Sequence, residues 1–220
     1  MAVVTISRQL GSGGDEIARR VVAELDLDFV DRAYVRVAAR EAGIAEALLQ
    51  RLLYEGQVSV ASEILDTLGA PRTQKEVSAQ SVSPLLNVFA PMLPPAAMTL
   101  EEAAHTIGQV IRQVASRDNV LVLGQAGQVL LKDCPGACHV QLISPLELRI
   151  ERVARRERMS AAAARRKVRA SDDARATFLA RYYGVRWQDP LLYHLVINTG
   201  LTSIEDAVSL ITHAARSCAA

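Results

Sequence analysis

The chain has 220 residues, half of them hydrophobic and only 4% aromatic, the composition of an aliphatic globular protein well outside the disordered class. A formal net charge of +1 gives no bulk attraction for nucleic acid or anionic lipid, and nothing approaches the roughly 20 apolar residues of a membrane-spanning helix. Cys134, Cys138 and Cys218 form neither a C-x-x-C pair nor a zinc pattern with histidine, and no basic-then-apolar leader opens the chain, so a cytoplasmic protein with free thiols is expected, binding neither nucleic acid nor membrane.

The length suits one α/β domain with a smaller helical insert. Val3 to Ile6 is a β-branched run that reads as a buried strand, followed by a glycine cluster and an amphipathic helix from about Gly14 to Leu25. Gly11, Gly13 and Gly14 permit positive φ, which lets successive backbone N–H groups face an anion, and the helix N-terminus points its partial positive charge into the same cradle. The stretch is a candidate phosphate site, and it reads equally as a strand–helix turn with glycines for close packing. A phosphate loop of the pattern G-x-x-x-x-G-K-[ST] carries lysine and a hydroxyl where this chain has Gly14 and Asp15.

Leu27 to Val30 is a short second strand, and Ala33 to Glu41 a helix on which Arg32, Arg36 and Arg40 form a basic stripe. Such a stripe is most often solvated; its place just beyond a strand end, where open α/β sheets bind ligands, raises its functional interest. Ile44 to Leu68 is a long helical pattern. Residues 69–95 turn proline-bearing and aperiodic, a flap or a partner-binding arm. Thr99 and Glu102 form a capping box for a helix to about Ser116.

Asn119 to Leu123 is a buried strand ending at Gly124-Gln125, and His139 to Ile143 another, after which Ser144 is expected as N-cap and Pro145 in the first helical turn. Two arginine-rich helices follow, Leu146 to Arg158 and then one capped by Ser160 and running toward Tyr183. Leu195 to Asn198 is the last strand, and Thr202 with Glu205 a capping box for a helix from Ile204 to about Arg216. Alternating strands and helices mean crossover connections and a parallel sheet. The four histidines are scattered away from ligand spacing, and Trp187 reads as a packing anchor.

Taken together, I-S-R-x-x-G-S-G-G-x-E-I-A near the N-terminus, F-V-D-R after the second strand and I-N-T-x-x-x-S-I-E-x-A before the last helix resemble the cytidylate kinase-like family, a nucleoside monophosphate kinase branch of the P-loop fold. The matching segments are 1–42 and 117–213, with residues 43–100 as an unmatched helical or irregular insert. The resemblance implies a single three-layer α/β domain with a five-stranded parallel sheet and a helical lid over about 152–186. It implies ATP with Mg²⁺ as cofactor, bound by Arg8, Gly11, Ser12, Gly13 and Gly14, and a nucleoside monophosphate, cytidylate by family name, near Asp31, Arg36 and Gln125. Arg152, Arg169 and Arg175 would close over the transferring group, and no metal site built from protein ligands is expected.

Departures from the family pattern sit in the same places. The loop lysine is absent, Asp15 stands where many members have a basic residue, and Gln125 stands where they often have arginine. Asp15 and Glu16 are readable as a metal-holding pair, or Glu16 as the cap of the helix, the latter being favoured. The arginines from Arg149 to Arg186 also fit a solvated face pairing with Glu147, Glu151 and Glu157. Two other functions therefore stand beside the kinase: a non-catalytic nucleotide-binding protein that keeps the fold, and an interaction protein that forms a homodimer through residues 69–95.

Overall fold

The computed structural model describes residues 2–53 and 98–219. The helical pattern expected from 54 to 68 and the segment 69–95, with the dimer expected through it, lie outside the described residues.

Five strands, β1 (Val3–Arg8), β2 (Asp28–Val30), β3 (Val120–Leu123), β4 (Ala137–Ile143) and β5 (Leu195–Asn198), form a parallel sheet in the order β2-β3-β1-β4-β5. β1 is central: Val3 stands opposite both Val120 of β3 and Ala137 of β4. The period of two in the strands assigns side chains to two cores. Val3, Val120 and Val122 enter one, under α2 (Arg32–Glu41), α3 (Glu46–Leu53), α4 (Leu100–Ala115) and the single turn α5 (Gly127–Leu130). Val4, Ile6, Leu121, Leu123, Val140 and Leu142 enter the other, under α1 (Gly14–Leu25) and α8 (Ile204–Cys218). Each such fully buried aliphatic side chain contributes about 1.5–3 kcal/mol. A helical hairpin, α6 (Leu146–Glu157) and α7 (Ala161–Tyr183), packs Ile150, Val153, Ala164 and Val168 onto Leu10 beside the end of β1.

One sheet face carries a polar seam that the aliphatic pattern leaves room for. Thr5 Oγ1 bonds His139 Nδ1 at 2.9 Å, and Trp187 Nε1 donates to Ser7 Oγ at 2.9 Å. The Trp187 carbonyl accepts from Gln141 Nε2 at 3.2 Å and from the Tyr193 hydroxyl at 2.8 Å. Buried polar groups are tolerated when partnered, and these partners anchor the Trp187 connection that leads into β5.

The Thr99–Glu102 box and the Ser160 cap form as expected. Two other caps fall one residue away from expectation. α6 starts with Pro145 at its cap, the Ser144 hydroxyl accepting instead from Arg152 Nη1 at 3.4 Å while its N–H donates to Gln9 Oε1 at 2.9 Å and its carbonyl accepts from Arg149 Nε at 3.0 Å. α8 is capped by Ser203, whose hydroxyl accepts from the Asp206 N–H at 3.0 Å, while the Thr202 N–H closes the preceding turn on the Asn198 carbonyl. Glu16 does not cap α1; it is exposed and pairs with Arg20 one turn on, at 2.6 Å. Among the described residues no helix is long and apolar enough to cross a membrane.

His139, 5% exposed, generates a pH prediction. Burial and then the neighbouring His194 push its pKa down from 6.5 to about 4. The unfolded chain therefore binds the extra proton between those values, so stability is complete above about pH 6.5 and falls as the pH drops toward 4, by up to about 3 kcal/mol. Urea midpoints at pH 7.5 and 4.5 measure the loss, and His139→Gln is expected to flatten the dependence; an equal slope in that variant would assign it to other groups.

Candidate anion-binding site

Beyond β1 the chain turns through Gly11 (φ +85°) and Gly13 (φ +80°) into α1. A Cβ on Gly11 would lie 2.6 Å from the Arg149 carbonyl oxygen, so the loop packs backbone to backbone against α6. With few side chains of its own, the loop is held from behind. Thr199, just past β5, donates its hydroxyl to the Ser12 carbonyl at 2.7 Å. Arg152 Nη1 donates to the Gly11 carbonyl at 3.4 Å and to Thr199 Oγ1 at 3.2 Å, and its Nη2 to the Thr199 carbonyl at 3.0 Å. Arg149, 5% exposed, ties its Nη1 to both carboxylate oxygens of Asp172 on α7, at 3.1 and 2.8 Å.

Inside this frame the Ser12 hydroxyl is fully buried and has no hydrogen-bond partner among the described residues. An orphaned buried hydroxyl costs about 1–3 kcal/mol. An oxygen-rich ligand entering the loop would relieve it. The helix N-terminus at Gly13 carries no side-chain cap, which leaves its positive end for the same ligand.

Beside the loop lies an open cleft of roughly 510 Å³, its solvent-open mouth included, and among the described residues its lining includes Arg8, Arg32 and Arg175 and no carboxylate. Arg8, the last residue of β1, crosses Gly14 and donates Nε to Asp15 Oδ1 at 3.1 Å. Burial pushes the Asp15 carboxyl up, but the charge and hydrogen bond of Arg8 outweigh it and hold the group below its ordinary value. Arg175 reaches in from α7, donating Nη1 to the Ser171 carbonyl at 3.1 Å and to the Ser171 hydroxyl, with its guanidinium 5.7 Å from the Trp187 ring centre. Burial first, then the like charges of Arg8 and Arg32, push its pKa down to about 10, so it stays cationic at neutral pH under repulsion from its neighbours. Gln125 lines the cleft in a left-handed turn with Gly124 and Ala126 (φ +54°, +78° and +56°), a strained conformation of the kind that gathers at functional sites.

Of the residues expected to act, the structure brings Arg8, the Gly11–Gly14 loop, Gln125 and Arg175 together. Arg152 reaches the loop from behind. Arg169 is exposed on α7 and makes no hydrogen bond or ion pair among the described residues. Asp31 caps α2, accepting from the Tyr34 N–H at 3.0 Å. The basic stripe divides: Arg32 lines the cleft, whereas Arg36 and Arg40 both pair with Glu46 of α3. Arg32, Thr199 and the cleft-facing role of Trp187 are the additions. Arg32 carried a signal, as the first helical residue after the C-terminal end of β2. Among the described residues no cluster of three or more His, Cys, Asp or Glu is arranged to hold a metal ion.

The two positive-φ loop glycines differ in what surrounds them. Alanine at Gly13 has its nearest neighbour at 3.7 Å and meets only the left-handed backbone cost of about 1–2 kcal/mol; alanine at Gly11 adds the 2.6 Å collision with Arg149. Gly11→Ala is expected to lose clearly more stability than Gly13→Ala in denaturant titrations, and equal losses would contradict the packing described.

Comparison with known proteins fits this geometry. A cytidylate kinase of Aeropyrum pernix is 25% identical over 213 residues, 96% of this chain and 97% of that one. A 97-residue stretch, 44% of this chain, is 33% identical to 19% of a uronate isomerase of Corynebacterium glutamicum, too small a share to bear on the whole. The crystal structure of an uncharacterized protein from Eubacterium ventriosum shares the fold, with a TM-score of 0.66 over 98% of both chains at 16% identity. The sequence model of the cytidylate kinase-like family matches residues 3–201, and the chain belongs to that family.

Proposed function

We propose that the protein transfers a phosphoryl group from ATP to a nucleoside monophosphate, with cytidylate the first acceptor to test. The observation that carries this reading is the cleft that gathers three arginines and, among the described residues, no carboxylate, set beside a glycine loop whose fully buried Ser12 hydroxyl has no hydrogen-bond partner among those residues. Phosphoryl transfer asks little covalent chemistry of a protein: it is positioning plus stabilisation of charge on the transferred group. Guanidinium forks match phosphate oxygens in shape and charge.

On this reading ATP supplies the phosphoryl group, and the Gly11–Gly14 loop with Arg8 holds its phosphates. Arg32 and Arg175 hold the acceptor phosphate and the transferred group, while Trp187 shuts water from that side of the cleft. Arg152 and Thr199 act as positioning residues through the loop carbonyls. Arg169 joins only when the α6–α7 hairpin closes. Mg²⁺ would arrive with the triphosphate, since it characteristically keeps several waters and takes one or two carboxylates plus substrate phosphates.

A second reading, nucleotide binding without turnover, is motivated by Gly14 and Asp15, which stand where the loop pattern has its lysine and hydroxyl. Calorimetric titration with MgATP followed by an ADP-release assay with CMP, dCMP and UMP separates them. Micromolar binding and acceptor-dependent ADP are expected, with Arg175→Ala lowering turnover by about a hundredfold, as for the loss of one transition-state donor. Binding with every acceptor inert would select the second reading; no ATP binding would overturn both.

A further inference from the structure

Resting on that assignment of the loop to triphosphate, we propose that Arg8 supplies the charge a phosphate loop ordinarily takes from its lysine, the cation having moved from the helix side of the loop to the strand side. With Gly13 as the second glycine of G-x-x-x-x-G-K-[ST], the first glycine of the pattern falls on Arg8 and the lysine on Gly14. The chain has a cation where the pattern has glycine, and glycine where the pattern has its cation.

The geometry makes this exchange reciprocal. A Cβ on Gly14 would lie 2.6 Å from Arg8 Cβ and 2.7 Å from Arg8 Cγ, closer than carbon atoms approach. A side chain at either position therefore demands glycine at the other. Gly14 is not among the residues with positive φ, so its backbone makes no demand for glycine; the passage of Arg8 does.

From there the Arg8 side chain runs over the first turn of α1. Its Nε meets Asp15, and its Nη1 lies 2.6 Å from where a Cβ on Gly124 would stand, so the β3–α5 turn also leaves room for the guanidinium. The charge thus sits between the start of α1 and the end of β3, at the C-terminal edge of two adjacent strands, where open α/β sheets bind ligands. Asp15, which alone would repel a phosphate, serves here as a positioning group that holds Arg8 in place.

The test is calorimetry of the full chain with MgATP and with inorganic tripolyphosphate, which has no base or ribose to bind elsewhere. Arg8→Gln keeps a polar side chain and removes the charge; binding of both ligands is expected to weaken by about tenfold or more, the worth of a charge-assisted contact. Affinity equal to that of the unaltered protein would overturn the proposal and leave the nucleotide site standing, whereas no binding by the unaltered protein would remove the site itself. The exchange is tested separately. Gly14→Lys alone is expected to melt at a clearly lower temperature because of the collision, and Arg8→Gly to fold but bind weakly. The double variant Arg8→Gly/Gly14→Lys is expected to recover both stability over Gly14→Lys and tripolyphosphate affinity over Arg8→Gly. A Gly14→Lys protein as stable as the parent, or a folded double variant binding no better than Arg8→Gly, would overturn the exchange; should the double variant not fold, Arg8→Gln decides alone.

Discussion

The site depends on immobilising a loop that cannot immobilise itself. Gly11, Gly13 and Gly14 contribute backbone and no side chains, so their conformation is set by what surrounds them. The Thr199 hydroxyl holds the Ser12 carbonyl, Arg152 bridges the Gly11 carbonyl and Thr199, and the backbone of α6 packs directly on Gly11. Arg149 carries the same frame outward, joining the Ser144 carbonyl at the start of α6 to Asp172 on α7. A loop preorganised in this way loses little entropy when an anion arrives, which is what makes a fixed set of donors effective. It also means that the α6–α7 hairpin is mechanically tied to the loop.

The second constraint is electrostatic. Three arginines share a cleft whose wall, among the described residues, carries no carboxylate, and the depressed pKa of Arg175 records its burial together with the repulsion. A fold selected for stability alone has no reason to keep that arrangement. Proteins give up local consistency at functional sites and recover it elsewhere. Here the recovery is visible in the partners around two of the cations: Asp15 for Arg8, and the Ser171 groups and the Trp187 ring for Arg175. A phosphorylated ligand would convert the remaining repulsion into binding.

Much of the architecture was legible because it is written in periodicity. The valine and leucine runs of β1 and β3 alternate between two cores, and the helices between them bury one face each, so strand–helix alternation and a parallel sheet follow from composition and spacing. Element ends were legible where a cap had a single use, as at Thr99 and Ser160. They slipped by one residue where other contacts claimed the expected cap: the Ser144 hydroxyl accepts from Arg152, and the Thr202 N–H is drawn into the turn after Asn198.

By itself, then, the amino-acid sequence determined the fold class, the order of elements and the place of the glycine loop, because each of these is set by neighbours within a few residues along the chain. It also marked the arginines as a group without ranking them. Only the tertiary structure decided which of them matter. Arg32 and Arg36 lie one helical turn apart, yet one lines the cleft and the other pairs with Glu46, and Arg152 and Arg175, on two different helices, are divided between the back of the loop and its front. A guanidinium at the end of a long flexible stem takes its role from whatever charge or carbonyl the fold brings within reach, and those partners come from segments far apart in the chain.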